Sequence, residues 1–264
     1  MKVGVLLKQV PASDTIIKIN PDKTGIVTAG IKWETNPYDE LALEAALQLK
    51  DAGKATGVVV LTVGTADADA RVRDALSRGA TEAIRVDEAS VVGSDSLGTA
   101  RALAAAAKAA GVELILAGKQ AIDTDSAAVP AMVAELLGWP QVSVVTGLTV
   151  DGGKITAERN AGGGFIEVVS TSVPAVITCD KGLNTPRFAN MKGIMAAKKI
   201  PIEVKSAADL GLSAGQVGAA GALVEESGLE LPPPRPSSKI IQGATPEAKV
   251  KELVRLLRDE AKVI

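Results

Sequence analysis

Short runs of β-branched and apolar residues alternate along the first half of the chain with longer stretches whose apolar positions recur every three or four residues. The runs Val3–Leu7, Val58–Val63, Ala83–Val86 and Leu114–Ala117 predict strands. Between them, helices are predicted over about Tyr38–Asp51, Ala66–Arg78 and Ser96–Ala110, and Ala131–Leu137 predicts another after the fourth strand. Strands separated by helices pair in parallel through right-handed crossovers, and ligands bind at the carboxyl ends of such strands. Most of these strand ends run into loops carrying Gly, Asp, Asn or Thr.

The pattern changes after Trp139-Pro140-Gln141. Val142–Val150, Lys154–Arg159 and Phe165–Thr171 predict strands joined by Asp-Gly-Gly and Gly-Gly-Gly turns, an antiparallel meander, and Pro174–Thr178 predicts one more buried strand. From Lys181 to Lys205 the chain turns basic, with six Lys/Arg against the single acid Glu203. Leu231–Ser238 is Pro-rich and predicts a stiff linker, followed by an amphipathic helix over Pro246–Val263. That helix docks on its own domain or reaches another chain. The expected architecture is a Rossmann-like, mostly parallel α/β sheet over residues 1–200, with an antiparallel extension and a C-terminal arm over 201–264.

Composition narrows the chemistry. The net charge of −2 gives no global attraction to nucleic acid. The apolar run in MKVGVLLK is too short for a signal-peptide core, and no stretch reaches the ~18 apolar residues of a membrane span, so a cytoplasmic protein without membrane insertion is expected. There is no histidine, which removes histidine bases, Ser-His-Asp triads and imidazole metal ligands. The lone Cys179 rules out an intrachain disulfide and reads as a small buried hydrophobe at a strand end. With two Trp, one Tyr and two Phe, the chain has little with which to stack a flavin by itself.

Two loops carry candidate chemistry. Asn36-Pro37-Tyr38-Asp39 opens the first long helix, with Asn36 suited to the N-cap, Pro37 to the first helical position and Asp39 to the first turn. Gly118-Lys119-Gln120-Ala121-Ile122-Asp123-Thr124-Asp125-Ser126-Ala127-Ala128-Val129-Pro130 runs from a strand end into a helix. Asp125 or Ser126 can simply cap that helix. Alternatively, the N–H groups near Ser126–Val129 lie at the positive end of a helix dipole, where a phosphate is stabilised. Neither a GxxxxGK[ST] loop nor a GxGxxG fingerprint is present. In the basic segment, Met191, Ile194 and Met195 form one apolar helical edge flanked by Lys192, Lys198 and Lys199. This is either a core-packed edge with a solvated lysine face or a protruding anchor for acidic partners.

The segments VLLKQVP, TGIVTAGIKWETNPYDELALEAALQLK, GKQAIDTD with GWPQ, and LNTPRFANMKGIMAAKKIPIEV together resemble the β subunits of electron transfer flavoproteins, nearly end to end. The resemblance implies a fold shared with the adenine-nucleotide α-hydrolases and a heterodimer with an α subunit that holds most of the FAD. It also implies a structural AMP in the β subunit and docking on acyl-CoA and related dehydrogenases, with electrons passing on to a quinone oxidoreductase. The matching nucleotide residues are Leu6, Asn36 to Asp39, Val63, and Gly118 through Val129. Tyr38 matches an aromatic near the flavin, and Met191 falls at the family's leucine anchor, within a recognition loop spanning about 179–201. Ordinary members often end the nucleotide loop with Thr-Gly; Val129-Pro130 here offers neither the hydroxyl nor a proline N–H. Electron-bifurcating members carry valine there and hold a second FAD in place of AMP, but they usually have glycine at the position of Thr124 and lack IMAAKK. The implied function is an AMP-type electron carrier rather than an enzyme. A stand-alone ATP-hydrolysing protein of the same fold would need a glycine loop after the first strand, and Lys8–Ser13 is not one.

Overall fold

The computed structural model describes residues 1–235 and 237–264; of the predicted linker Leu231–Ser238, Pro236 lies outside the described residues. The elements run β1 (Lys2–Leu6), β2 (Gln9–Pro11), β3 (Trp33–Thr35), α1 (Pro37–Asp51), β4 (Gly57–Gly64), α2 (Asp69–Arg78), β5 (Glu82–Asp87), α3 (Ser96–Ala109), β6 (Leu114–Gly118) and α4 (Val129–Leu137). They continue with β7 (Gln141–Asp151), β8 (Lys154–Gly162), β9 (Phe165–Ser172), β10 (Ala175–Cys179), α5 (Met191–Ala197), β11 (Glu203–Lys205), α6 (Gly218–Gly221) and α7 (Pro246–Arg255).

Nine strands form one sheet in the order β11-β5-β4-β1-β6-β10-β7-β8-β9. Pairing is parallel from β11 across to β7 and antiparallel through β7-β8-β9. The predicted meander therefore continues the main sheet. A separate antiparallel ribbon, β2-β3, pairs Val10 with Glu34; neither strand is predicted by the hydrophobic pattern, because each is only three residues long.

The central strands read as unbroken apolar runs because both of their faces are covered. Val3, Val5, Val58, Val60, Leu114, Leu116 and Ile177 pack with α1 and α2 on one face. The intervening Val59, Leu61, Ile115 and Val176 pack with α3 and α4 on the other. The sheet-facing alanines of α3, among them Ala100, Ala106 and Ala107, are fully buried and let that helix lie close to the sheet. Cys179 is buried at the end of β10, as expected for a small hydrophobe.

Three predicted helices differ in extent. Ala66–Arg78 splits into a short 3-10 turn, Ala66–Ala68, before α2. The fourth helix begins at Val129, two residues ahead of the prediction, because Pro130 suits a first turn. The terminal helix stops at Arg255 and widens into a π turn over Leu256–Glu260. Val250, Leu253 and Val254 of α7 face solvent. No helix of the described residues is long and apolar enough to cross a membrane.

Candidate functional site

Chain order reverses between β1 and β6: from β1 the sheet grows through β4 and β5 to one side, whereas β6 returns to the other. The carboxyl ends of β1 and β6 thus open the crevice that doubly wound sheets use for ligands. The N-terminus of α1 sits directly over it. Asp39, in the first turn, is 6% exposed; its Oδ2 accepts from Lys8 N at 2.8 Å and its Oδ1 from Gly118 N at 2.9 Å. One carboxylate therefore ties the chain just past β1 to the last residue of β6. Gly118 has to be glycine at this junction, since a Cβ there would lie 2.4 Å from Asp39 Oδ1 and 2.6 Å from Tyr38 Cβ.

Asn36 occupies the N-cap position and Pro37 follows it, but the Asn36 side chain makes no capping bond, contrary to expectation. Its Nδ2 donates to the Gln120 carbonyl at 2.8 Å, and its Oδ1 accepts from Ile122 N at 3.2 Å. A side chain that grips both faces of a loop fixes that loop more firmly than a cap would fix one helical N–H. Beyond this grip, Lys8 Nζ pairs with Asp123 Oδ2 at 2.8 Å, and Gln120 Nε2 donates to Asp125 Oδ1 at 2.7 Å. Asp125 and Ser126 do not cap α4, whose N-cap position falls on Ala128 with no side-chain bond.

Asp125 and Ala127 instead adopt left-handed backbone conformations, φ 49° and 50°, which non-glycine residues rarely hold. The N–H groups of Ser126, Ala127 and Ala128 meet no partner among the described residues. That of Val129 opens α4, where helical N–H groups lack intrahelical acceptors. Leu6 is the buried last residue of β1, while Val63 lies at the corresponding end of β4. Lys119 Nζ pairs with Asp180 at 3.0 Å and stands 5.0 Å from the centre of the Tyr38 ring. Ala121 is half-buried at the start of the loop, and Thr124 is exposed at its tip.

This donor set suits an anion. Unpartnered N–H groups in a row at a helix start satisfy phosphate oxygens, and the nearest carboxylates are already engaged by Lys8 and Gln120. For a flavin ring the chain offers much less, since Tyr38 is the sole aromatic among the predicted nucleotide residues.

Burial pushes the Asp39 carboxyl up to about 7 against the opposing effect of the N–H bonds from Lys8 and Gly118 and the Lys8 charge. Its folded value lies above the ordinary 3.8, so its stabilising contribution is fully present below about pH 4 and is lost as pH rises towards 7. Asp39→Asn should therefore flatten the slope of melting temperature against pH between about 4 and 7. Melts across that range for both proteins check this; identical slopes would remove Asp39 from the pH dependence.

The predicted anchor residues project from a different part of the same α1 face of the sheet. Met191 is 75% exposed, and Ile194 and Met195 are exposed with it, as are Lys198 and Lys199. The apolar edge of α5 is not packed in a core; only Ala197 of that helix is buried. Phe188, just upstream, is 92% exposed. The segment is held instead by residues that the sequence pattern did not single out. Arg187 pairs with Glu44 of α1, and Arg73 of α2 donates to the carbonyls of Ala197, at 2.6 Å, and Ile200. In the sequence Glu44 reads as an ordinary surface position of an amphipathic helix, and nothing local marks its partner 143 residues away.

The arrangement defines a class: an open doubly wound α/β protein with an anion-suited crevice at its switch point, an antiparallel extension of the sheet, and an exposed apolar-basic helix. The family model for the electron transfer flavoprotein domain matches residues 23–210. The electron transfer flavoprotein subunit beta of Syntrophomonas wolfei is 39% identical over 263 residues, covering 100% of this chain and 98% of that protein. The proteins of the same name from Bradyrhizobium diazoefficiens and Bos taurus are each 40% identical, over 212 and 216 residues, with 80% of this chain and 84% of each relative covered. The chain belongs to the electron transfer flavoprotein family.

Proposed function

We propose that this chain is the β subunit of a heterodimeric electron transfer flavoprotein, a carrier without catalytic activity of its own, serving oxidations of the fatty-acid β-oxidation kind. It holds a structural AMP in the β1/β6 crevice and pairs with an α subunit. The FAD, bound mainly by that α subunit, supplies the redox chemistry by which electrons from acyl-CoA and related dehydrogenases reach a quinone oxidoreductase. This chain contributes two things: a nucleotide-filled support, and the α5 segment that docks on the dehydrogenase.

The observation that carries the nucleotide part is the row of unpartnered N–H groups over Ser126–Ala128 beside the switch point. Such donors bind phosphate without a hydroxyl, so Val129-Pro130 in place of Thr-Gly leaves the site workable. Asn36 and Asp39 hold the crevice walls, and the small side chains of Ala121, Ser126, Ala127 and Ala128 allow close approach. Extraction of the purified heterodimer is expected to release one FAD and one AMP, resolved by chromatography and mass. Two FAD per heterodimer would overturn the AMP assignment in favour of an electron-bifurcating carrier, and ATP turnover by the chain alone would point to a hydrolase.

A further inference from the structure

The exposed helix α5 is fastened to helices α1 and α2 by an extended set of hydrogen bonds and ion pairs. Glu44 is 5% exposed, yet its carboxylate accepts from Arg187 three times: the backbone N at 3.1 Å, Nε at 2.8 Å and the terminal guanidinium nitrogen NH2 at 3.0 Å. Gln48 Nε2 adds a fourth bond at 3.1 Å. The other guanidinium nitrogen of Arg187 reaches Asp51 Oδ2 at 2.7 Å, and Asn184 Nδ2 donates to the Leu41 carbonyl at 2.9 Å. Leu41, Glu44, Gln48 and Asp51 follow one another at helical spacings of three and four, so a single face of α1 receives the whole approach to α5.

The helix itself is held as firmly. Asn190 caps α5 by accepting from Gly193 N at 2.8 Å. A Cβ on Gly193 would fall 2.0 Å from the Ser77 carbonyl oxygen, so α5 touches the end of α2 backbone to backbone. Arg73 then binds the carbonyls at the end of the helix. Between these two fixings stand Phe188, Met191 and Met195, all exposed.

A surface ion pair contributes little, but a forked guanidinium on a buried, otherwise saturated carboxylate is geometrically demanding and specific. Apolar side chains on a loose segment would lose conformational freedom when a partner covers them; on a fixed segment that loss is already made. Glu44 and Asp39 share α1 within two turns, so the helix that walls the crevice also sets the place of α5.

Resting on the docking role proposed above, we infer that Arg187, held by Glu44 and Asp51, is a positioning residue that presents α5 in its binding conformation to the donor dehydrogenase. The occupant of the exposed edge completes its contact with Met191 and Met195; Arg187 itself sits behind them.

The test uses the complete α/β heterodimer as electron acceptor for a substrate-reduced acyl-CoA dehydrogenase. Arg187→Gln is expected to raise KM for the heterodimer about tenfold while kcat changes less than about twofold, since ordering rather than chemistry is affected. Arg187→Lys should fall between wild type and Arg187→Gln, because an ammonium keeps the charge but not the fork. Hydrogen exchange should accelerate over 184–199 and not elsewhere. Asp51→Asn, which removes one exposed arm of the pair, gives a milder variant of the same test, with KM raised about twofold. Met191→Ala separates the two readings. If it raises KM while Arg187→Gln does not, the docking role stands and the positioning role falls. If neither variant changes KM, both fall. Faster exchange throughout the chain with a lowered melting temperature and unchanged KM would make Arg187 merely structural and overturn the inference.

Discussion

Met191→Ala is expected to cut the efficiency of electron transfer from the donor dehydrogenase by roughly 30-fold, about 2 kcal/mol, the usual scale for truncating one central anchor of an interface. The melting temperature and bound flavin should stay unchanged. The reason is placement: Met191 opens α5 with three quarters of its surface in water, so its removal leaves no internal cavity. A buried methionine cut to alanine would instead cost ~2–5 kcal/mol of stability. Reversing the charge at Lys198 and Lys199, both exposed beyond the end of α5, should act on a different step. Association slows and its salt dependence falls, while the dissociation rate changes little. Steady-state kinetics and thermal melts on one preparation decide the matter. A lower melting temperature with unchanged kinetics would sink the anchor.

Gly118→Ala is expected to lower the stability by about 3 kcal/mol, or roughly 6 °C in melting temperature for a chain of this size, with loss of the proposed nucleotide. The added Cβ would meet the Asp39 carboxylate at 2.4 Å, the Asp39 backbone nitrogen at 2.9 Å and Tyr38 Cβ at 2.6 Å. Two of these three atoms belong to the backbone or the base of a side chain, and the third belongs to a carboxylate fixed by two N–H bonds, so none can swing aside. Either α1 lifts away from β6 or the Asp39 bonds break. Both movements disturb the wall that Asn36 and Asp39 make for the crevice. Gly111, by contrast, has positive φ but no atom near its missing Cβ, and Gly111→Ala should cost only its backbone strain, ~1 kcal/mol. A Gly118→Ala protein that melts like wild type and keeps its nucleotide would show that α1 and β6 tolerate separation.

The doubly wound core was legible because its physics is local. Buried parallel strands are apolar at nearly every position, so Val58–Val63, interrupted only by Thr62, and Leu114–Ala117 announce themselves without reference to anything distant. The glycine turns of β7-β8-β9 are equally local, since residues at positive φ such as Gly152, Gly153 and Gly163 restrict the chain where they stand. The resemblance, too, is carried by contiguous words of sequence. What Asn36 and Asp125 do with their side chains was not legible. Capping is the default for either residue beside a helix, and it lost in both cases: Asn36 turns to Gln120 and Ile122, more than 80 residues away, and Asp125 to Gln120 of its own loop, once left-handed backbone at Asp125 and Ala127 carries it away from the start of α4. The strength of the Asp39 clasp depends on the meeting of β1, β6 and α1, which only the order of strands in the sheet brings about. Whether Met191, Ile194 and Met195 lie in a core or in solvent turned on the crossing from β10 to the far edge strand β11, and on Arg187 finding Glu44 along the way. The sequence by itself determined the long central strands and helices, the glycine-turned meander and the family, because each rests on short-range pattern. Only the tertiary structure decided which polar groups pair and which apolar side chains remain uncovered, because pairing and burial are properties of residues brought together from distant parts of the chain.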